Sequence, residues 1–157
     1  MDLPVLVKEV GFGLSGKTAS KLEKAGVKAI DIAGAGGTSW TAVERYRQNN
    51  SGLAKRFSNW GIPAAESLVE CRKEANLPII ASGGIYDGIT ACKAFALGAD
   101  LVGLARPLLS PALQGPKEVK NFLEGFILEL KIAMMLVGVK NLKELKNNSE
   151  IIRTNNL

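Results

Sequence analysis

One pattern recurs four times along the chain: a short apolar run, a Gly-rich or polar turn, then a helical stretch. The apolar runs are Leu3–Val10 (LPVLVKEV), Ala29–Ala33 (AIDIA), Pro78–Ser82 (PIIAS) and Asp100–Ala105 (DLVGLA). They read as continuous rather than alternating, which is how strands of a parallel sheet look when helices cover them. The helices carry their own punctuation. Ser15 is placed to cap a helix over Gly16–Ala25 that Gly26 stops, and Ala64–Ala75 is helical. Asp87 caps a helix that runs to Leu97 and ends at Gly98. Lys117–Val137 is a long amphipathic helix, with Phe122, Phe126, Ile127, Leu130, Ala133, Met134 and Val137 at helical spacing. A short helix is expected over Leu142–Lys146, and residues 148–157 form a polar tail expected to fray.

Four βα units in a row fit either an open doubly wound sheet or a segment of a (β/α)8 barrel. Both place chemistry at the C-terminal ends of the strands. Here every such end is polar or Gly-rich: Lys8, Gly34–Thr38, Ser82–Gly84 and Arg106. The long stretch from Ser39 to Pro63 reads as an insertion, charged around Arg45–Arg56.

Composition narrows the function. At 157 residues the chain is the size of one domain. Aromatic residues are 6% against 17 glycines, which suits a core of small and aliphatic side chains in close helix-on-sheet packing. The net charge of +5 is spread, with no dense Lys/Arg block and no aromatics interleaved with basic residues, so nucleic acid is not an expected partner. Histidine is absent, which removes Ser-His-Asp triads and imidazole metal sites from this chain. Cys71 and Cys92 form no CxxC motif and read as free thiols of a reducing compartment. Met1-Asp2-Leu3-Pro4 lacks a basic leader, and the run Ile132–Val139, broken by Gly138, is too short to span a bilayer. A cytoplasmic protein with no membrane partner is the expectation.

Three motifs carry chemistry. Ser82-Gly83-Gly84-Ile85 lies between a strand and a helix, and Ala105-Arg106 ends the last strand. In barrels, such paired loops form phosphate sites from backbone N–H groups, with a helix dipole behind them; the plain alternative is two ordinary turns. Lys8 ends an otherwise apolar strand, so its ammonium faces a cavity or an anion, or else lies on a surface edge strand. Glu9 is expected on the opposite face. Gly34-Ala35-Gly36-Gly37-Thr38-Ser39-Trp40 describes a backbone that approaches a ligand with hydroxyls beside it, or a hinge. It is neither a dinucleotide fingerprint nor a P-loop.

Taken together, VKEVGFG, DIAGAGGTSW, NWGIPAAESL, LPIIASGGIYDG, ALGADLVGLARPLL and ELKIAMMLVGVKNLKEL resemble the second half of the type 2 isopentenyl-diphosphate isomerases. The resemblance runs from about residue 3 to about 147, and AGGTSW with NWGIP and AMMLVG is its most specific part. It implies an α/β fold in which residues 1–147 are an FMN-binding half of a TIM (β/α)8 barrel, strands five to eight with their helices. It implies conversion of isopentenyl diphosphate to dimethylallyl diphosphate, in isoprenoid biosynthesis, with reduced FMN as acid/base. NADPH would be the reductant, and Mg²⁺ would hold the diphosphate.

By position, Lys8 would contact the flavin near its anionic edge and Thr38 would hydrogen-bond the cofactor. Gly83, Gly84 and Ile85 would hold the FMN phosphate through their N–H groups, with Ala105 and Arg106 completing the cradle. The resemblance places no metal ligand in this half and assigns no catalytic residue here. Two positions depart from it: Ala33 stands where many members have Ser, and Tyr86 where an Arg is common. The residues expected to bind diphosphate and Mg²⁺ belong to the first half. The chain is therefore expected to need that half, or a second copy of itself, as partner and to be inactive alone. The related alternatives are the C-terminal half of another FMN barrel oxidoreductase and a non-catalytic FMN- or phosphate-binding half-barrel.

Overall fold

The computed structural model describes residues 3–47 and 51–146; the tail at 148–157 lies outside the described residues. Strands β1 (Leu6–Lys8), β2 (Ala29–Asp31), β3 (Ile79–Ala81) and β4 (Leu101–Val102) form one parallel sheet in the order β1-β2-β3-β4. That order decides between the two architectures. A doubly wound sheet reverses its strand order at a switch point, whereas a barrel adds each strand beside the last. The sheet is a barrel segment, and each strand is shorter than its apolar run suggests.

Helices α1 (Gly16–Lys24), α2 (Trp40–Glu44), α3 (Ser51–Arg56), α4 (Ala64–Glu74) and α5 (Gly88–Ala96) are joined in chain order by α6 (Arg106–Gln114), α7 (Pro116–Leu136) and α8 (Leu142–Lys146). The caps act as their residue types dictate. Ser15 Oγ accepts from the Thr18 N–H at 3.3 Å to start α1, and Gly26, at φ +88°, turns the chain out of it. Asp87 and Thr90 form a reciprocal capping box on α5.

Two elements differ from the sequence reading. The segment Arg106–Gln114 is helical despite two prolines: Pro107 sits in the first turn, where no N–H is needed, and Pro111 is accommodated further along. The insertion holds two short helices and is stapled at its base. There the Ala35 N–H donates to the Ile62 carbonyl and the Ala64 N–H to that of Ala35, at 2.9 and 3.0 Å. Along α7, Phe126 and Met134 are buried and Phe122, Leu130 and Ala133 pack on the core, but Ile127 and Val137 are turned outward, 48% and 38% exposed. The apolar stripe is narrower than the sequence spacing suggests.

The two faces of the sheet differ sharply. Ile30, Ile32 and Ile79 are fully buried on the helix-covered side, with Ala19, Leu68, Cys71, Ala91 and Leu145 in the same core. The register pairs Leu6 with Ala29, Lys8 with Asp31, Asp31 with Ile80, and Ile80 with Leu101. Paired residues of a parallel sheet share a face, so these six line the other side. There Leu6 and Leu101 stay 48% and 60% exposed. In a closed barrel that face is the interior.

The N-terminal ends of β3 and β4 are tied together by Asp100. Its carboxylate accepts from Arg72 Nη2 at 2.6 Å, the Ile79 N–H at 2.8 Å and Lys146 Nζ at 2.5 Å. Arg72 also donates to the carbonyls of Gly98 and Leu77. Burial alone would raise the Asp100 carboxyl. The hydrogen bonds from Lys146 and Ile79, with the Arg72 charge, outweigh that and hold it below the ordinary carboxylate range. α4, α8 and the starts of β3 and β4 are thus clamped at the end opposite the functional turns.

Candidate functional site

The C-terminal ends of all four strands open onto one cavity of about 580 Å³, within the usual range for a small-molecule site. Each of the seven residues singled out from the sequence lines it: Lys8, Thr38, Gly83, Gly84, Ile85, Ala105 and Arg106. Asp31, Ser82, Tyr86 and Trp40 line it as well.

Two Gly-rich loops form its central wall, and they touch each other. Gly83 and Gly84 have φ of +87° and +81°. A Cβ on Gly83 would lie 2.0 Å from the Gly34 carbonyl oxygen, and one on Gly34 would lie 2.2 Å from Ala64 Cα. The Gly34 N–H donates to the Ser82 carbonyl at 2.9 Å. In the sequence Gly34–Gly37 reads as an approach to a ligand or a hinge; in the fold Gly34 is a packing glycine, pressed between Ala64 and the Gly83 turn. Tyr86 adds a latch, its hydroxyl donating to the Gly36 carbonyl at 2.8 Å. The residue that replaces the common Arg therefore ties the two loops together.

This packing leaves donors over. Among the described residues, the backbone N–H groups of Gly83, Gly84, Ile85, Ala105 and Arg106 donate no hydrogen bond. The start of α6 has no side-chain cap, whereas α5 is fully capped by Asp87 and Thr90. The anion-binding capacity of this end therefore lies in the Gly83–Ile85 turn and the first turn of α6, with the Arg106 guanidinium beside them.

On the floor, Lys8 Nζ is 2.7 Å from Asp31 Oδ2 and 3.3 Å from Ser82 Oγ. Ser82 Oγ donates to Asp31 Oδ1 at 2.5 Å, and the Ala33 N–H donates to the same oxygen at 3.1 Å. Asp31 is buried, 7% exposed, while the Lys8 side chain is 52% exposed on its cavity side. Both readings of Lys8 hold in part: it sits on the edge strand, and it faces a cavity with an anion beside it. Asp31 was not singled out from the sequence, although a lone carboxylate in AIDIA carries the same signal as a lone ammonium in LVKEV.

Glu9 does not simply face away. Its Oε2 folds back to accept from the N–H groups of Val10, Gly11 and Phe12 at 2.7, 3.0 and 2.8 Å, fixing the turn after β1. Ala33 sits at φ +33°, a left-handed conformation that a side-chain-bearing residue adopts at some cost. Among the described residues no cluster of three or more Cys, Asp or Glu gathers as a metal site, and no helix is long and apolar enough to cross a membrane.

Comparison with known proteins agrees with this geometry. The family model of FMN-dependent dehydrogenases matches residues 1–153. The isopentenyl-diphosphate delta-isomerase of Methanothermobacter thermautotrophicus is 50% identical over 97% of this chain and 44% of its own length. That of Pyrococcus furiosus is 53% identical over 93% of this chain and 38% of its own. The chain thus spans well under half the length of these curated relatives, matching their C-terminal part. Among solved structures, a mandelate oxidase variant with a monooxide FMN adduct superposes with a TM-score of 0.69 at 25% identity, covering 93% of this chain and 41% of that one. A cavity at the strand ends, two abutting Gly-rich loops with free N–H donors, and a sequence match along nearly the whole chain lead to one assignment: this chain belongs to the FMN-dependent dehydrogenase family, as a half of its (β/α)8 barrel.

Proposed function

We propose that this chain is the flavin-binding part of an isopentenyl-diphosphate delta-isomerase. The observation that carries the cofactor reading is the set of free backbone N–H donors at Gly83–Ile85 and Ala105–Arg106, on the same cavity as the Lys8 ammonium. The N–H groups and Arg106 would hold the FMN phosphate. Lys8 would face the end of the ring that becomes anionic on reduction, and Thr38 would hydrogen-bond the cofactor. When bound, reduced FMN supplies acid/base chemistry at the substrate carbon. This chain's part is to bind, orient and charge-balance the ring, and its two loops keep one wall of the site fixed.

The choice of isomerase over oxidoreductase rests on the relatives, which share about half of their residues with this chain against a quarter for the mandelate oxidase. Isopentenyl diphosphate, a Mg²⁺ that holds it, and NADPH as reductant belong to the same reading, with the metal ligands outside this chain. The exposed face around Leu6 and Leu101 would be covered by the remaining part of the barrel, without which turnover is not expected.

The test is a titration of the purified chain with FMN, followed by flavin fluorescence. Saturable quenching, weakened by Lys8→Ala and by Arg106→Ala, is expected; no saturable quenching refutes the cofactor reading. The chain alone should show no isomerisation, and activity should appear when it is co-expressed with the N-terminal part of the Pyrococcus furiosus isomerase. A flavin-loaded pair that oxidises 2-hydroxy acids instead would establish the oxidoreductase reading.

A further inference from the structure

The floor of the cavity holds a charge arrangement that flavin binding alone does not require. Among the lining residues Lys8 and Arg106 are the cations, and Asp31 is the carboxylate. Asp31 is spent entirely on its neighbours: one oxygen takes Lys8, and the other takes the Ser82 hydroxyl and the Ala33 N–H. The pairing is built into the sheet, because Lys8 and Asp31 are register partners on adjacent strands. Ser82 follows β3 on the same face. A carboxylate this buried costs free energy unless it is fully bonded, and here it is.

A lysine that served only to attract an anion would be stronger without a carboxylate at 2.7 Å. The pair does two things that a lone lysine does not. It fixes where the ammonium stands, and it reduces the net positive charge that the ammonium presents.

Resting on the FMN reading above, we propose that Asp31 is a positioning residue that sets the redox preference of the site. It holds Lys8 toward the cavity and offsets part of its charge, so that reduced, anionic flavin is favoured over oxidised flavin only moderately. Ser82 moderates Asp31 in turn, since its hydroxyl draws charge onto Oδ1 and away from the oxygen that meets Lys8. A more strongly stabilised reduced flavin would be easier to form but less reactive, so the offset gives up some ease of reduction and keeps the electron-rich ring reactive.

The experiment measures FMN dissociation constants for the full chain under anaerobic conditions, with oxidised FMN and with dithionite-reduced FMN. The readout is the ratio of the two constants. Wild type should favour the reduced form. Asp31→Asn, which keeps the shape and removes the charge, should raise that preference about tenfold, equivalent to ~1.4 kcal/mol. Asp31→Glu should return it toward wild type. Ser82→Ala should lower the preference about threefold, and Lys8→Met should lower it further. If Asp31→Asn and Ser82→Ala weaken both redox forms equally and leave the ratio unchanged, Asp31 is structural and the proposal falls while the FMN reading stands. If wild type binds neither form, both fall. Should Asp31→Asn fail to fold by circular dichroism, Ser82→Ala decides alone, and an unchanged ratio overturns the proposal.

Discussion

The abutting loops make a prediction that separates packing from backbone conformation. Gly83 and Gly26 have nearly the same φ, +87° and +88°, but opposite surroundings. A Cβ at Gly26 meets nothing within 4 Å, whereas one at Gly83 lies 2.0 Å from the Gly34 carbonyl oxygen and 2.8 Å from its nitrogen. Alanine at either site incurs the left-handed penalty of ~1–2 kcal/mol, partly offset by the lower entropy of the unfolded chain. Gly26→Ala should therefore destabilise by about 1 kcal/mol. At Gly83 the opposing atom is backbone, which must retreat by roughly 1 Å. That retreat breaks the Gly34 to Ser82 hydrogen bond and adds an overpacking cost of about 1–3 kcal/mol. Gly83→Ala should thus cost about 3–5 kcal/mol, a large share of a typical domain's stability. Urea melts followed by far-UV circular dichroism measure both. A gap of about 2–4 kcal/mol with unchanged m-values is expected, together with loss of FMN binding in Gly83→Ala only. A gap under about 1 kcal/mol would refute the reasoning, because the loops could then part freely.

Three further outcomes follow from the geometry. Asp100→Asn should cost about 2 kcal/mol at neutral pH, its ion pairs being discounted for a carboxylate 35% exposed. Because folding lowers this carboxyl, its contribution is complete above the unfolded value near pH ~4 and lost as pH falls through the folded one. Melts of variant and wild type should converge in acid. Tyr86→Phe should lower stability by under about 1 kcal/mol, since the freed Gly36 carbonyl can bond water, yet weaken FMN binding about threefold as the latch is lost. Neither thiol should react with Ellman's reagent at pH ~8 until the chain unfolds. Cys71 is fully buried, its thiol pushed up to about 11 by desolvation, and burial also raises Cys92. Rapid labelling of the native chain would contradict this core.

Much of the fold was legible because local chemistry and global order agree here. Ser15, Gly26 and Asp87 announce their caps in any context, and the apolar runs mark the strands. What the sequence could not reveal depends on distance across the fold. Arg106–Gln114 hid because prolines argue against a helix unless one knows that the chain starts a turn at Arg106. The glycines at 34 and 83 read as places for a ligand because the residues that crowd them, Ala64 and Gly34, are far away in sequence. Lys8 stood out as a charge in an apolar strand, but Asp31 was masked by the loop that follows it. Only the register, Lys8 beside Asp31, joins them.

The sheet has polarity as well as open edges. Its strands run one way in sequential order, so the outer side of β1 matches a strand that precedes it, and the outer side of β4 one that follows. Joining two such units is head-to-tail at both seams. A ring of eight strands ends the process, because no edge is left. An arrangement that misses ring closure has no stopping point, since each added unit presents the same edge again, and growth continues as a fibre. For a sheet built this way, its curvature decides whether added units close a ring or run on as a filament.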